Sequence, residues 1–263
     1  MPRRVITLTT DFGVRDAYVG TMKGVILGIN PEATIVDLCH EIVPQDVRQG
    51  ALALYNACRY FPVGTIHVAV VDPGVGSERW PIAVGTSQAV FVGPDNGVFS
   101  LVVGDRERRS EVTIVHLTEP RFWLPEVSST FHGRDIFSPV AAHLSLGVPL
   151  EALGQVVDDM VRLSLPQPEV RDDGTILAQV LRIDRFGNVI TSVPEELVAE
   201  EDISAVEIGG RQISRLSHTY SQVESGALVA PIGSEGFLEV AVRDGNAART
   251  LEVAVGAPVI IRR

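Results

Sequence analysis

The sequence is short of cysteine, of positive charge and of long apolar runs. Its 263 residues include two cysteines, Cys39 and Cys58, both in apolar surroundings and without a Cys-x-x-Cys spacing. Neither has the neighbours of a metal site, and the pair reads as small core residues in a reducing compartment. Lysine and arginine number 22 against 33 aspartates and glutamates, for a net charge of -11. Phosphate backbones and anionic membranes are bound by clustered Lys and Arg, so neither nucleic acid nor a membrane is expected as a partner. No apolar run reaches the roughly 18 residues that span a bilayer. Met1-Pro2-Arg3-Arg4 leads directly into the strand-like Val5–Thr9 with no apolar signal region between them. A cytoplasmic protein is expected.

What is present is an ordinary globular composition, 45% hydrophobic and 21% charged, long enough for one or two domains. Val5–Thr9, Thr34–Leu38, Thr65–Val71, Ile82–Gly85, Ala89–Val92 and Val112–Leu117 read as strands. Between them, Met22, Val25, Ile26 and Ile29 recur at helical spacing up to Asn30-Pro31. Asp46 is placed to cap a helix running to about Phe61, and Ile136–Leu146 reads as another helix. Strands alternating with helices predict an α/β N-terminal domain with a largely parallel central sheet. Past the proline-containing stretch Leu163–Gly174 the helical periodicity fades. Short strands punctuated by Gly209-Gly210, Gly233 and Gly245-Asn246 predict a smaller all-β, barrel-like C-terminal domain. The expected domains are residues 1–164 and 165–263.

Five segments place polar groups where α/β proteins build sites, just after strands or before a helix. In Thr9-Thr10-Asp11-Phe12-Gly13, a carboxylate at a strand end suits the vicinal hydroxyls of a ribose or, equally, a turn cap. Asp72-Pro73-Gly74-Val75-Gly76, with Arg79 seven residues past Asp72, offers approachable backbone N–H groups; a tight turn with a solvated arginine is the alternative. Gly93-Pro94-Asp95-Asn96-Gly97 reads as a hairpin turn between two apolar runs. In Ser128-Ser129-Thr130-Phe131-His132-Gly133-Arg134-Asp135, polar groups and a histidine stand before a helix with a glycine that leaves room for a small reactant; a structural histidine is the alternative. Arg182-Ile183-Asp184-Arg185-Phe186-Gly187-Asn188 combines a carboxylate, a ring and an amide, a set that fits an ammonium group and a flat base but also occurs in turns.

In this order the segments TTDFG with DAYVGTMKG, VVDPGVGSER, GPDNGV, TFHGRDIF, DRFGN and GNAA resemble the S-adenosylmethionine hydrolases, or SAM hydroxide adenosyltransferases. That family is related to fluorinase and chlorinase, and the motifs span residues 9 to 248. The resemblance implies a homotrimer with active sites at subunit interfaces. It implies S-adenosylmethionine as substrate, with water attacking C5′ and methionine leaving, and no cofactor or metal. The catalytic trio falls on Asp72, Arg79 and His132. Substrate positions fall on Asp11 (ribose), Asp184 (methionine amino group), Phe186 and Asn188 (adenine) and Ser234 (near the methionine carboxylate). The halogenases carry an arginine where this chain has Glu235, and they lack the Arg and His pair.

The chemistry suits these residue types. A neutral thioether leaves from a sulfonium and needs no general acid, so the difficulty lies in activating water, whose pKa in bulk is about 15.7. A permanent cation and a hydrogen-bond donor favour hydroxide character, and a carboxylate orients the water or takes its proton. Which of Asp72, Arg79 and His132 takes the proton is left open by the sequence. Two competing readings are a halide-dependent 5′-halogenase and a module that binds the nucleoside without turning it over.

Overall fold

The computed structural model describes residues 4–104, 112–198, 203–214 and 216–263. The chain divides into two units, Met1–Leu163 and Ser164–Arg263. No helix among the described residues is long and apolar enough to cross a membrane.

The N-terminal unit opens with β1 (Val5–Thr10), α1 (Tyr18–Ile29), β2 (Thr34–Cys39), α2 (Val47–Cys58) and β3 (Thr65–Val70). It continues through β4 (Pro81–Gly85), β5 (Ala89–Pro94), α3 (Ser100–Val103), β6 (Thr113–Leu117), α4 (Ser138–Ser145) and β7 (Gly154–Val157). These strands form one sheet in the order β2-β1-β3-β5-β4-β6-β7. The pairings from β2 to β5 are parallel, and an antiparallel run from β5 through β4 and β6 to β7 extends them.

Buried strands read as unbroken apolar runs because both faces of a parallel sheet are covered. β1 is buried from Ile6 to Thr10, and β3 is buried throughout. Side chains along β3 point alternately to two cores. Ile66, Val68 and Val70 join Ile6, Leu8, Met22, Ile26 and Phe137 on one face, while Ala69 joins Leu54, Phe91 and Phe99 on the other. α1 buries Val19, Met22 and Ile26 and stops at Asn30, whose N–H still donates to the Ile26 carbonyl before Pro31. Asp46 caps α2, accepting a hydrogen bond from the Gln49 N–H at 2.9 Å.

Two local expectations give way. The helix expected over Ile136–Leu146 begins earlier, as a π-turn over Gly133–Phe137 that runs into α4. Asp95-Asn96-Gly97 is not a hairpin turn, since β5 leads through it into α3. Its side chains are used elsewhere: Asn96 donates to the Val71 carbonyl (2.8 Å), and Asp95 accepts from the Val161 N–H (2.8 Å).

The C-terminal unit contains β8 (Glu169–Val170), β9 (Ile176–Ile183), β10 (Val189–Pro194), β11 (Ala205–Ile208) and β12 (Arg211–Ile213). β13 (Leu228–Val229), β14 (Phe237–Val242), the short helix α5 (Ala247–Leu251) and β15 (Pro258–Arg262) complete it. All its pairings are antiparallel, in the order β12-β11-β15-β9-β10-β14-β13 with β8 on β9. This barrel-like sheet closes over Ile176, Val180, Val189, Leu238, Val240 and Val259.

Candidate active site

In the N-terminal unit, Asp72 and Arg79, seven residues apart, meet the sequence-distant His132 at the carboxyl ends of the parallel strands. β3 ends at Val70, and the chain then doubles back through Asp72-Pro73-Gly74-Val75-Gly76. The Val75 N–H donates to the Asp72 carbonyl (3.2 Å), and both the N–H and hydroxyl of Ser77 donate to the Gly74 carbonyl (3.0 and 2.6 Å). This tight path returns Arg79 to Asp72. Arg79 Nε donates to Oδ1 (3.0 Å) and Nη2 to Oδ2 (2.5 Å), a two-pronged pair whose side chains are 8% and 5% exposed. Nη2 also donates to His132 Nδ1 (2.7 Å).

Gly76 explains how the two loops come so close. Its φ is +75°, and a Cβ there would sit 2.3 Å from the Ser129 carbonyl oxygen. A side chain at 76 would therefore wedge the Arg79 loop away from the segment carrying His132. That segment is itself pinned by Asp135, which is fully buried and accepts from the Ser128 N–H (2.8 Å) and from Arg134 Nε (2.5 Å). The Ser138 hydroxyl donates to the Gly133 carbonyl (2.7 Å), and the Phe137 ring lies 5.4 Å beneath the Arg79 guanidinium. A Cβ at Gly133 would lie 3.3–3.5 Å from Phe131, Met22 and Val70.

The electrostatics follow from the donor inventory. A guanidinium only donates, so His132 Nδ1 is an acceptor and a neutral ring carries its proton on Nε2. Burial, reinforced by the Arg79 charge, holds the His132 pKa below its ordinary value, against the opposing pull of Asp72 and Asp135. Arg79 Nη1 is buried and has no acceptor among the described residues. The cluster thus presents a carboxylate with unused lone pairs, an unspent guanidinium nitrogen and a neutral imidazole N–H.

Asp11 follows β1, the strand beside β3, with Thr10 directly across from Val70. Its Oδ2 accepts from the Gln45 N–H at 2.7 Å, and Gln45 holds a φ of +70°. Thr10 and His40 Nδ1 are hydrogen bonded (2.9 Å), and His40 Nε2 reaches Asp37 (2.9 Å). The rings of Phe12, Tyr18 and Phe131 pack at centroid distances of 5.3–5.8 Å, so the TDFG segment touches the residue before His132.

In the C-terminal unit, Asp184, Phe186, Asn188 and Ser234 line one cavity of about 990 Å³. Asp184 braces the turn between β9 and β10. Its Oδ1 accepts from the N–H groups of Phe186 (2.9 Å) and Asn188 (2.8 Å), and its Oδ2 from the Asn188 amide (3.0 Å). Gly187 (φ +87°) lets this turn press on the GNAA segment: its missing Cβ would fall 2.0 Å from the Asn246 amide nitrogen. Its carbonyl accepts from the Ala248 N–H (3.0 Å). Phe186 is left 75% exposed.

Of the other polar side chains of this cavity, the sequence reading included Arg182 in its segment without giving it a role and missed Glu239 and Tyr220. Arg182 and Glu239 stand in register on either side of Ile190, across three adjacent strands. Glu239 accepts from the Tyr220 hydroxyl (2.6 Å). Burial, with Asp184 and Glu235 nearby, pushes the Glu239 pKa up, and the Tyr220 phenol is pushed up with it by burial and by Glu239. Arg182 Nη2 donates to Glu235 Oε1. The spacing Arg182-x-Asp184 at a strand end was the available signal for the arginine; Tyr220 lies in a stretch with no periodicity to mark it.

Residues 6–154 match the model described as SAM hydroxide adenosyltransferase N-terminal domain, and residues 178–260 that of the C-terminal domain. The chain is 41% identical over 262 residues to a Thermus thermophilus protein named (R)-S-adenosyl-L-methionine hydrolase, covering 97% of this chain and 98% of the relative. It is 26% identical over 299 residues to a Nocardia brasiliensis protein named fluorinase, covering 99% and 97%. Among solved structures, an uncharacterized conserved protein of Thermotoga maritima is similar with a TM-score of 0.90 at 37% identity, covering 98% of this chain and 100% of that one.

Proposed function

The chain belongs to the SAM hydroxide adenosyltransferase family, and we propose that it hydrolyses S-adenosyl-L-methionine to adenosine and L-methionine through a water held by Asp72, Arg79 and His132. One observation supports the mechanism: Arg79 hydrogen-bonds Asp72 and His132 at once. His132 Nδ1 is spent on Arg79 and Nε2 carries a proton, so the imidazole donates to the water rather than deprotonating it. Arg79 contributes fixed positive charge and the Nη1 donors. Asp72 is the group with lone pairs to spare, and we assign it the proton that water loses as oxygen bonds to C5′. The C5′–S bond breaks with its electron pair going to sulfur, giving the neutral thioether of methionine.

Asp11 is taken as the ribose partner, and Asp184, Phe186, Asn188 and Ser234 as the methionyl and adenine partners. Support for the second group is their place on one cavity. A homotrimer with active sites at subunit interfaces and a cytoplasmic location belong to the same reading; sedimentation equilibrium checks the first.

The deciding experiment is product analysis with S-adenosylmethionine, with and without chloride or fluoride. Adenosine and methionine are expected in equal amounts, independent of halide. A 5′-halo-adenosine would establish the halogenase reading, and stable bound substrate the binding-module reading.

A further inference from the structure

The C-terminal cavity poses an electrostatic problem for the substrate just proposed. Asp184, Glu235 and Glu239 all line it, and each repels an amino-acid carboxylate. Two guanidinium groups also line it. Arg243 is committed: Nη1 donates to the Val223 carbonyl (2.7 Å), and Nε lies 3.6 Å from Asp244. Arg182 makes a single bond among the described residues, from Nη2 to Glu235, and its buried Nε has no acceptor. Its side chain keeps 24% of its surface accessible. A permanent cation with unused planar donors is suited to a carboxylate. Glu235 sits across the pair at 26% exposure, where it steadies the guanidinium without enclosing it.

We propose that Arg182 anchors the α-carboxylate of the methionyl group, with Glu235 acting as the residue that positions it. The proposal rests on the hydrolase reading and extends it to a residue that none of the sequence motifs marked as a contact. It also accounts for the row Arg182–Ile190–Glu239 across β9, β10 and β14. The arginine at one end takes the acid, while Glu239 at the other is held by the Tyr220 hydroxyl.

The test compares S-adenosylmethionine with its decarboxylated analogue, the adenosyl sulfonium of a propylamine, which lacks the carboxylate. Losing a charge-assisted pair corresponds to roughly 10- to 100-fold in binding. Arg182→Gln is therefore expected to raise KM for S-adenosylmethionine by about that factor while kcat stays within roughly threefold. KM for the analogue should stay within about twofold of wild type. Arg182→Lys, which keeps the charge, should give a smaller rise of roughly 3- to 10-fold and also serves should the glutamine variant fail to fold. Equal losses on both substrates, or an unchanged KM for S-adenosylmethionine, overturn the assignment. If the wild-type protein releases no adenosine, the hydrolase reading falls by itself. Calorimetric titration with L-methionine then decides the anchor: weaker binding by Arg182→Gln supports it, and equal or absent binding by both proteins overturns it.

Discussion

Each unit carries an arginine–carboxylate pair, and the two pairs are built differently. Arg79 grips both oxygens of Asp72 and the ring of His132, with side chains 8% and 5% exposed. Arg182 touches Glu235 through one nitrogen, and both side chains remain about a quarter exposed. A buried pair must be satisfied nearly all round, because desolvation costs several kcal/mol per ion. Its remaining capacity is small and directed, which suits one water. A half-open pair keeps donors for an incoming ion. The proposed function assigns chemistry to the N-terminal cluster and recognition to the C-terminal cavity, so their variants should separate kcat from KM.

The largest effect should come from the chemical end. Asp72→Asn is expected to lower kcat by roughly 10²–10⁴ with KM nearly unchanged, and Arg79→Ala at least as much, measured by adenosine release. A comparable rise in KM would merge the two ends and break the contrast. Gly76→Ala, which touches no proposed substrate group, should lower kcat by about 10²-fold by prising the loops apart, and should also lower the melting temperature. Unchanged turnover would show that the 2.3 Å approach to Ser129 relaxes without moving Arg79.

At the recognition end, Asp184→Asn keeps one acceptor oxygen for the Phe186 and Asn188 N–H groups but removes the charge and the second acceptor that holds the Asn188 amide. KM is expected to rise roughly 10- to 100-fold with kcat little changed. A fall in kcat instead would mean that this carboxylate acts in the chemical step.

Much of the parallel half was legible in the sequence, because buried strands and capped helices leave local signatures: the run Val5–Thr9, the spacing of Met22 and Ile26, and the Asp46 cap. Asp72, Arg79 and His132 stood out as motif residues, but the bond between Arg79 and His132 spans 53 positions and has no local signature. The role of Asn96 was misread for the same reason. Asp-Asn-Gly carries a hairpin signal, yet the side chain is spent on Val71, 25 residues away. Glu239 looked like one more strand residue, since only the pairing of β14 with β10 sets it opposite Ile190.

Acid should pull the buried groups of β3 and β14 in opposite directions. His67 on β3 is fully buried between Phe61 and Phe91, and burial lowers its pKa to about 4 from an ordinary 6.5. Below pH 6.5 the unfolded chain takes up a proton that the folded site refuses, so stability present above 6.5 is lost as pH falls towards 4. Between pH 7 and 5.5 that loss is on the order of 1 kcal/mol, about tenfold in the local opening equilibrium. His116, His132 and His143, in the same unit, are also lowered, first by burial, and add in the same sense. Glu239 has the opposite sign: its pKa is raised, so its ionisation costs stability at neutral pH, and that cost shrinks as pH falls through its folded value. Hydrogen exchange at pH 7 and 5.5, corrected for intrinsic rates, should show β3 opening more readily at the lower pH while β14 is unchanged or better protected. Parallel changes in both strands would mean that the units unfold as one, and that their electrostatic difference is confined to the sites.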